Sequence, residues 1–209
     1  MRILLLGATG PTGRHLLELL GETEHDVVAL VRDPARLAGY VHPRLETFTG
    51  DATRPLDVAR AMSGQEAVVS ALGAGSSVRS RGMFEAAATA VTEAAHVEQL
   101  DRLVWLSSFG VGASFAAASL VQKGIYSTLL RSLYTDKAVA DDLVRASGLD
   151  WTIVHPTRLT DSPAARSYKA AARLPMAGNP TISRADVAHF MLTALGDSTW
   201  SRRTAVISD

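Results

Sequence analysis

The chain has 209 residues, 47% of them hydrophobic and 20% charged, a balance that suits one soluble globular domain with a full core. Its 21 basic and 21 acidic residues cancel, so no global charge draws it to nucleic acid or to an anionic membrane surface. It contains no cysteine, which excludes disulfides, thiolate nucleophiles and cysteine-ligated metals and fits the cytoplasm.

The first apolar run, residues 2–6, has the outline of a signal peptide. It is too short for one and ends in a glycine turn rather than a cleavage site, so it reads as a buried strand. A helix follows over 11–20, then a strand over 26–31 and another over 45–47. A helix over 56–62 leads to a strand over 67–71, and a helix over 81–96 to a strand over 103–107. The last elements are a helix over 136–146, a strand over 151–154, a helix over 184–195 and a strand over 204–207. Asp186 falls near the first turn of that final helix, where a carboxylate suits the positive helix end. Short β-rich runs alternating with longer helical ones predict an α/β fold with a parallel sheet built from βαβ units. No run is long and apolar enough to span a bilayer. No repeat, low-complexity tail or second-domain linker interrupts residues 1–209.

Two stretches break the alternation: 109–130, rich in Ala, Gly and Ser, and 158–180, with prolines at 163, 175 and 180. Both begin where strands end. In an open α/β sheet the ligand lies beyond the carboxyl ends of the strands, so these segments are expected to form substrate walls or lids.

Gly7-Ala8-Thr9-Gly10-Pro11-Thr12-Gly13 joins the first strand to the first helix. Gly7 permits a tight turn, Gly10 a close backbone approach to a pyrophosphate, and Gly13 close packing of helix on sheet. The helix start offers free N–H groups and a positive dipole end to the anion. Pro11 costs little there, and Thr9 and Thr12 can add hydroxyls. A glycine triplet alone is an ordinary turn. Between a strand and a helix, inside a βαβ unit, it points to a Rossmann-type dinucleotide site in a doubly wound parallel sheet.

The second strand ends Ala29-Leu30-Val31-Arg32-Asp33-Pro34-Ala35-Arg36. The acidic residue that would hold the ribose hydroxyls of NAD is missing, and Arg32 can meet a 2′-phosphate with a planar fork of donors. Arg36 lies one turn further on. NADP(H) is therefore the expected cofactor, although Arg32 also reads as an exposed loop arginine. Only Lys123, Lys137 and Lys169 are lysines, so a lysine in a structured position is more informative here than an arginine.

The chain resembles the atypical short-chain dehydrogenase/reductases, in particular the NmrA-like and biliverdin-B (flavin) reductase-like group. The likeness runs through the glycine loop, Leu30-Val31-Arg32-Asp33, Gly50-Asp51-Ala52, Ala71-Leu72-Gly73 and Leu106-Ser107-Ser108. It continues through the segment from Ser147-Gly148 to His155-Pro156 and through Ile182-Ser183-Arg184-Ala185-Asp186-Val187-Ala188. The resemblance implies that Asp51 and Ala52 contact the adenine and that Ala71, Leu72 and Gly73 border the ribose and diphosphate. It places Ser107 and Ser108 beside the nicotinamide, with Pro156, Thr157 and Leu159 at its carboxamide end.

The typical family members place a tyrosine four residues before a lysine. Lys137 occupies the lysine region, but Leu133 stands four residues earlier and Tyr134 three. Positions three and four apart share a helix face, so Tyr134 is either a site residue or an edge aromatic. The candidate catalytic residues are Ser107, Ser108, Tyr134 and Lys137. His155 reads as a local hydrogen-bonding residue, Asp141 and Asp142 as solvated helix residues, and Trp151 and Trp200 as packing residues. The remaining histidines suggest no metal site.

Three functions follow. The first is an NADPH-dependent reductase of a small planar conjugated acceptor such as a flavin or quinone, the cofactor supplying the hydride and water the proton. The second is a non-catalytic redox sensor reporting the dinucleotide to a protein partner. The third is a carbonyl reductase or epimerase using Ser, Tyr and Lys. The expected assembly is a monomer or homodimer.

Overall fold

The computed structural model describes residues 1–40, 42–75, 77, 80–112, 130–176 and 178–209. In chain order the main elements are β1 (Arg2–Leu6), α1 (Pro11–Gly21), β2 (Asp26–Val31), β3 (Leu45–Thr49), α2 (Pro55–Met62), β4 (Ala67–Ser70), α3 (Met83–Glu98) and β5 (Arg102–Leu106). After them come α4 (Arg131–Ala146), β6 (Asp150–Pro156), β7 (Arg158–Thr160), β8 (Lys169–Ala171), β9 (Thr181–Ser183), α5 (Arg184–Gly196) and β10 (Arg203–Ser208).

Ile3, Leu4, Leu5 and Leu6 are all buried, as expected of a parallel strand covered by helices on both faces. The two-residue period of a strand divides such residues between two cores. Ile3 and Leu5 join Val69, Val104 and Val154 on one face; Leu4 and Leu6 join Val68, Trp105 and Ile153 on the other. Helices α1 and α5 pack together over the first face, and α2, α3 and α4 cover the second with α3 in the middle.

The sheet runs β3-β2-β1-β4-β5-β6-β10-β8, parallel except for β8, which is antiparallel to β10. The chain builds outward from β1 to β3 and then returns to start again at β4. That reversal between β1 and β4 is the switch point at which α/β sheets hold ligands. It is a single Rossmann-like α/β domain, as the sequence pattern predicts. No helix among the described residues is long and apolar enough to cross a membrane.

Two differences from the predicted elements bear on the site. Helix α4 begins at Arg131 rather than at 136. Asp136 lies inside it and caps another helix: its carboxylate accepts from the amides of Phe84 (3.2 Å) and Glu85 (2.9 Å), because the residue at the N-cap of α3 is Gly82, which has no side chain to do so. The 158–180 stretch contains β7 and β8, and β7 pairs in parallel with β9 in a small second sheet. Three-residue strands are too short to show a period.

Helix α5 is entered through a reciprocal cap. Ser183 Oγ accepts from the Asp186 amide at 2.9 Å and donates to the Asp186 carboxylate at 2.6 Å. That carboxylate also accepts from the amides of Ala165 (3.0 Å) and Arg166 (2.8 Å), which ties the 158–180 stretch to α5.

Candidate functional site

Leu6, Leu30 and Ser70 stand in register, and Val31 pairs with Thr49. The loops after β1, β2, β3 and β4 therefore open side by side along the carboxyl edge of the sheet. Ala71 donates its amide to Leu6 O and Gly50 to Val31 O, both at 2.9 Å, extending the ladder one residue into these loops.

The glycine loop is held too tightly for larger residues. Gly7 has φ +78°, and a Cβ there would lie 2.6 Å from Ala71 O; at Gly13 a Cβ would lie 2.1 Å from Gly7 O and 2.8 Å from Ala8 Cα. Gly10 differs. It has φ −79°, caps α1 without a side-chain bond, and its Cβ would meet only Gly7 O, at 3.2 Å. No side chain caps the first-turn amides of α1, a cradle whose donors and dipole suit a phosphate. Thr9 is half-buried and Pro11 exposed beside it, while Thr12 is buried against the helix.

Beyond β2 and β3, Arg32 and Arg36 are exposed. Asp51 Oδ1 accepts from the amide (2.9 Å) and hydroxyl (2.8 Å) of Thr53, so Asp51 also caps the loop that follows it. Its second oxygen makes no hydrogen bond among the described residues. The Thr53 amide above all, against the opposing effect of burial, holds Asp51 below the usual carboxylate range, with Arg32 and Arg54 adding attraction. Arg54 at the head of α2 therefore belongs to this cationic corner, a neighbour the sequence reading missed. Ala52 and Leu72 pack against the second core, Ala71 is buried in the first, and Gly73 is exposed.

At the ends of β5 and β6 the structure assembles a buried polar cluster. Residues 103 and 105 of β5 and 153 of β6 point to the α4 face, so by the two-residue period Ser107 and His155 continue that face past the last apolar layer. Helix α4 meets them with Lys137 and Asp141, one turn apart. Asp141 Oδ2 accepts from Ser107 Oγ (3.0 Å) and from His155 Nε2 (2.8 Å). Lys137 Nζ donates to Ser107 O (3.1 Å) and Ser108 Oγ (2.7 Å) and lies 4.7 Å from the centre of the Phe84 ring, a favourable place for a cation. Burial pushes the Lys137 ammonium down to about 8, while Asp141 and then Asp136 resist the fall.

This cluster corrects one expectation. Asp141 is not solvated: it is fully buried, whereas Asp142 is exposed and pairs with Arg145 at 2.8 Å. The signal was present but split between elements. Asp141 sits four residues after Lys137, and Ser107 and His155 share a strand face only once β5 and β6 are paired in register.

Leu133, where the family tyrosine would stand, packs against the second core. Tyr134 is half-buried on the first turn of α4. Pro156 is buried at the end of β6 and its carbonyl accepts from Phe109 N at 2.9 Å. Thr157 is turned inward, its hydroxyl 3.2 Å from Ser208 Oγ, and Leu159 packs against the first core. Of the expected 109–130 wall, 113–129 lie outside the described residues. A separate depression lined by Leu17, Glu18, Gly21, Tyr40, His42 and Leu45 lies at the opposite, amino end of β2 and β3 and is no part of this site.

A model of NAD(P)H-binding proteins matches residues 7–198. The chain is 27% identical to the uncharacterized sugar epimerase YhfK of Bacillus subtilis, over 97% of this chain and 92% of that one. Among solved structures it resembles ChuY, an anaerobillin reductase from Escherichia coli O157:H7, with 24% identity, TM-score 0.82 and coverage of 99% of this chain and 96% of that one. It also resembles a short-chain dehydrogenase/reductase from Veillonella parvula in complex with NADP, with 20% identity, TM-score 0.80 and coverage of 100% and 94%.

Proposed function

We propose that this chain, which belongs to the NAD(P)H-binding family, is an NADPH-dependent reductase that transfers a hydride to a planar conjugated acceptor such as a flavin, a quinone or a related heteroaromatic. The observation that carries this reading is the replacement of the family tyrosine by Leu133, packed against the core beside an otherwise intact Lys137–Ser108 pair. An acceptor whose ring takes a hydride and whose proton comes from water needs no tyrosine. It needs to be held flat against the donor.

The residues fit a dinucleotide. The cradle of Gly7, Gly10 and Gly13 and the head of α1 would hold the pyrophosphate, with Thr9, Pro11 and Thr12 beside it. Arg32, with Arg36 near it, would take the 2′-phosphate by charge-assisted bonds. Asp51 and Ala52 would meet the adenine, and Ala71, Leu72 and Gly73 the ribose and diphosphate. Ser107, Ser108 and Lys137 lie at the end where the nicotinamide and its ribose would sit, with Pro156, Thr157 and Leu159 on the far side. The reduced nicotinamide supplies the hydride. Lys137 presents its ammonium to ribose hydroxyls, and Ser108, whose Oγ accepts from Lys137 Nζ at 2.7 Å, keeps its own proton free to donate outward. Ser107 donates inward to Asp141, so it orients main chain rather than substrate. The likeness to an anaerobillin reductase and to an NADP complex supports a tetrapyrrole-sized acceptor and NADP over NAD.

The test mixes the protein with NADPH and a panel of flavins, quinones and linear tetrapyrroles and follows loss of the reduced-nicotinamide absorbance. Turnover is expected with at least one planar acceptor. No turnover, with equal affinity for oxidised and reduced cofactor, would leave a redox sensor as the function. The likeness to YhfK favours a second reading, an epimerase or carbonyl reductase. Loss of a measured activity in Tyr134→Phe would establish that reading in place of the one proposed.

A further inference from the structure

Asp141 is an expensive residue to bury. Its side chain is fully enclosed, Oδ2 accepts two hydrogen bonds, and Oδ1 has no partner. A carboxylate in such surroundings is poorly compensated, and an apolar side chain of the same shape usually serves stability as well or better. Its charge lies 3.8 Å from Arg145, one turn later, and also acts on Lys137, one turn earlier on the same helix face, whose proton it helps to hold.

We propose that Asp141, clamped by His155 and Ser107, is a positioning residue that keeps the Lys137 ammonium charged and aimed at the end of β5. This rests on the reading above that the reactive end of the dinucleotide lies there.

The charges around Lys137 single out Asp141. From its own helix, Asp136 and Asp141 face it. Asp136 is already spent on the amides of Phe84 and Glu85. From α3 come the Phe84 ring and, exposed at the helix head, Glu85. From β5 come the Ser107 carbonyl and the Ser108 hydroxyl, both neutral. From β6 comes His155, whose Nε2–H points at Asp141 and not at the lysine. Arg145, one turn beyond, stands 3.8 Å from Asp141 Oδ2. Asp141 therefore sits between two cations on its own helix with His155 and Ser107 fixing the oxygen they share. A burial that alone would strip the proton from Lys137 is opposed first by Asp141 and second by Asp136.

The chain has only three lysines, so selectively ¹³C-labelled lysine yields three Cε resonances, and Lys137→Arg identifies the one from Lys137. The experiment follows that resonance from pH 6 to 10.5 in the full chain. The wild-type midpoint is expected near 8. In Asp141→Asn it falls by about one unit or more, the usual effect of removing an opposite charge at close range. His155→Leu, which removes the clamp and leaves the Asp141 carboxylate in place, moves it the same way by less, and His155→Gln, which keeps a donor, restores it. A Lys137 midpoint unchanged in Asp141→Asn overturns the proposal. Should that variant fail to fold, an unchanged midpoint in His155→Leu overturns it instead. The basic limb of kcat/KM for NADPH oxidation should shift with the resonance. If the resonance shifts while no acceptor is ever reduced, the positioning stands and the reductase reading falls. If reduction proceeds normally with the resonance unmoved, the reverse holds.

Discussion

The glycine loop permits a test that separates folding from binding, because its three glycines meet their surroundings at different distances. At Gly13 an alanine Cβ would sit 2.1 Å from Gly7 O and 2.8 Å from Ala8 Cα, more than an ångström inside ordinary contact and against backbone that cannot rotate away. Overpacking of this kind costs about 1–3 kcal/mol or more. A domain of this size loses about 2–4 °C per kcal/mol, so Gly13→Ala should lower Tm by roughly 5–10 °C. At Gly10 the added Cβ meets one oxygen at 3.2 Å with an unstrained φ of −79°, and alanine for glycine at a helix cap costs about 1 kcal/mol or less. Its Tm should fall by no more than about 4 °C. Yet if a pyrophosphate lies against Gly10, the methyl occupies its path, and NADPH affinity should drop at least about tenfold, equivalent to about 1.4 kcal/mol. Thermal unfolding and fluorescence titration of NADPH on both variants decide the matter. Wild-type NADPH affinity in Gly10→Ala would refute the phosphate cradle. Equal Tm losses in the two variants would refute the packing argument.

Arg32→Ala should weaken NADPH binding by about 10- to 100-fold, the worth of a charge-assisted phosphate contact, and leave NADH binding unchanged; an intact NADPH-over-NADH preference would remove the arginine from the 2′-phosphate site. Lys137 makes stability depend on pH. Its proton is held to about 10.5 in the unfolded chain and only to about 8 in the folded one, so the unfolded chain binds more protons in between and stability rises with pH across that window. Urea unfolding of wild type against Lys137→Met at pH 7 and 10.5 should show the difference moving by about 3 kcal/mol in favour of wild type, from 1.36 kcal/mol per unit; a difference independent of pH sinks the reasoning. Asp186 is held below the usual carboxylate range although burial opposes this, through bonds from Ser183 and the amides of Ala165 and Arg166. Asp186→Ala leaves those donors unpaired at about 1–3 kcal/mol each, so trypsin should cut after the exposed Arg166 much faster than in wild type, and an unchanged cleavage rate would show that the latch holds nothing.

The parallel sheet was legible because strands covered on both faces read as short unbroken apolar runs, alternating with longer helical stretches. The runs at 2–6 and 26–31 have the same bounds in the structure. Strands β7, β8 and β9 have three residues each, less than two periods, and are defined by their pairing partners: β8 lies on the edge of β10, and β7 and β9 pair with each other. The glycine loop was legible for another reason: the fold requires a residue type, not a pattern, at 7 and 13. The cluster around Asp141 was hidden because its members come from three elements. Asp141 reads locally as one of two adjacent helix acids, and only the packing of α4 over β5 and β6 sends one inward and the other to solvent.

The two ends of the carboxyl edge are built on opposite physical terms. At the glycine loop close packing and ligand binding ask for the same thing, since the contact that excludes a Cβ at Gly13 also brings the head of α1 up to the end of β1. At the β5–β6 end they conflict. An ammonium buried to the point of losing its proton near 8 and a carboxylate with one oxygen unpaired both subtract from stability, and their opposite charges one helical turn apart offset part of that cost, beside the bonds from Ser107, Ser108 and His155. A site where stability is given up in this way is where function is expected to sit. On that ground the proposed function sets the reacting end of the dinucleotide beside Lys137, with the glycine loop holding the pyrophosphate at the other end of the same edge.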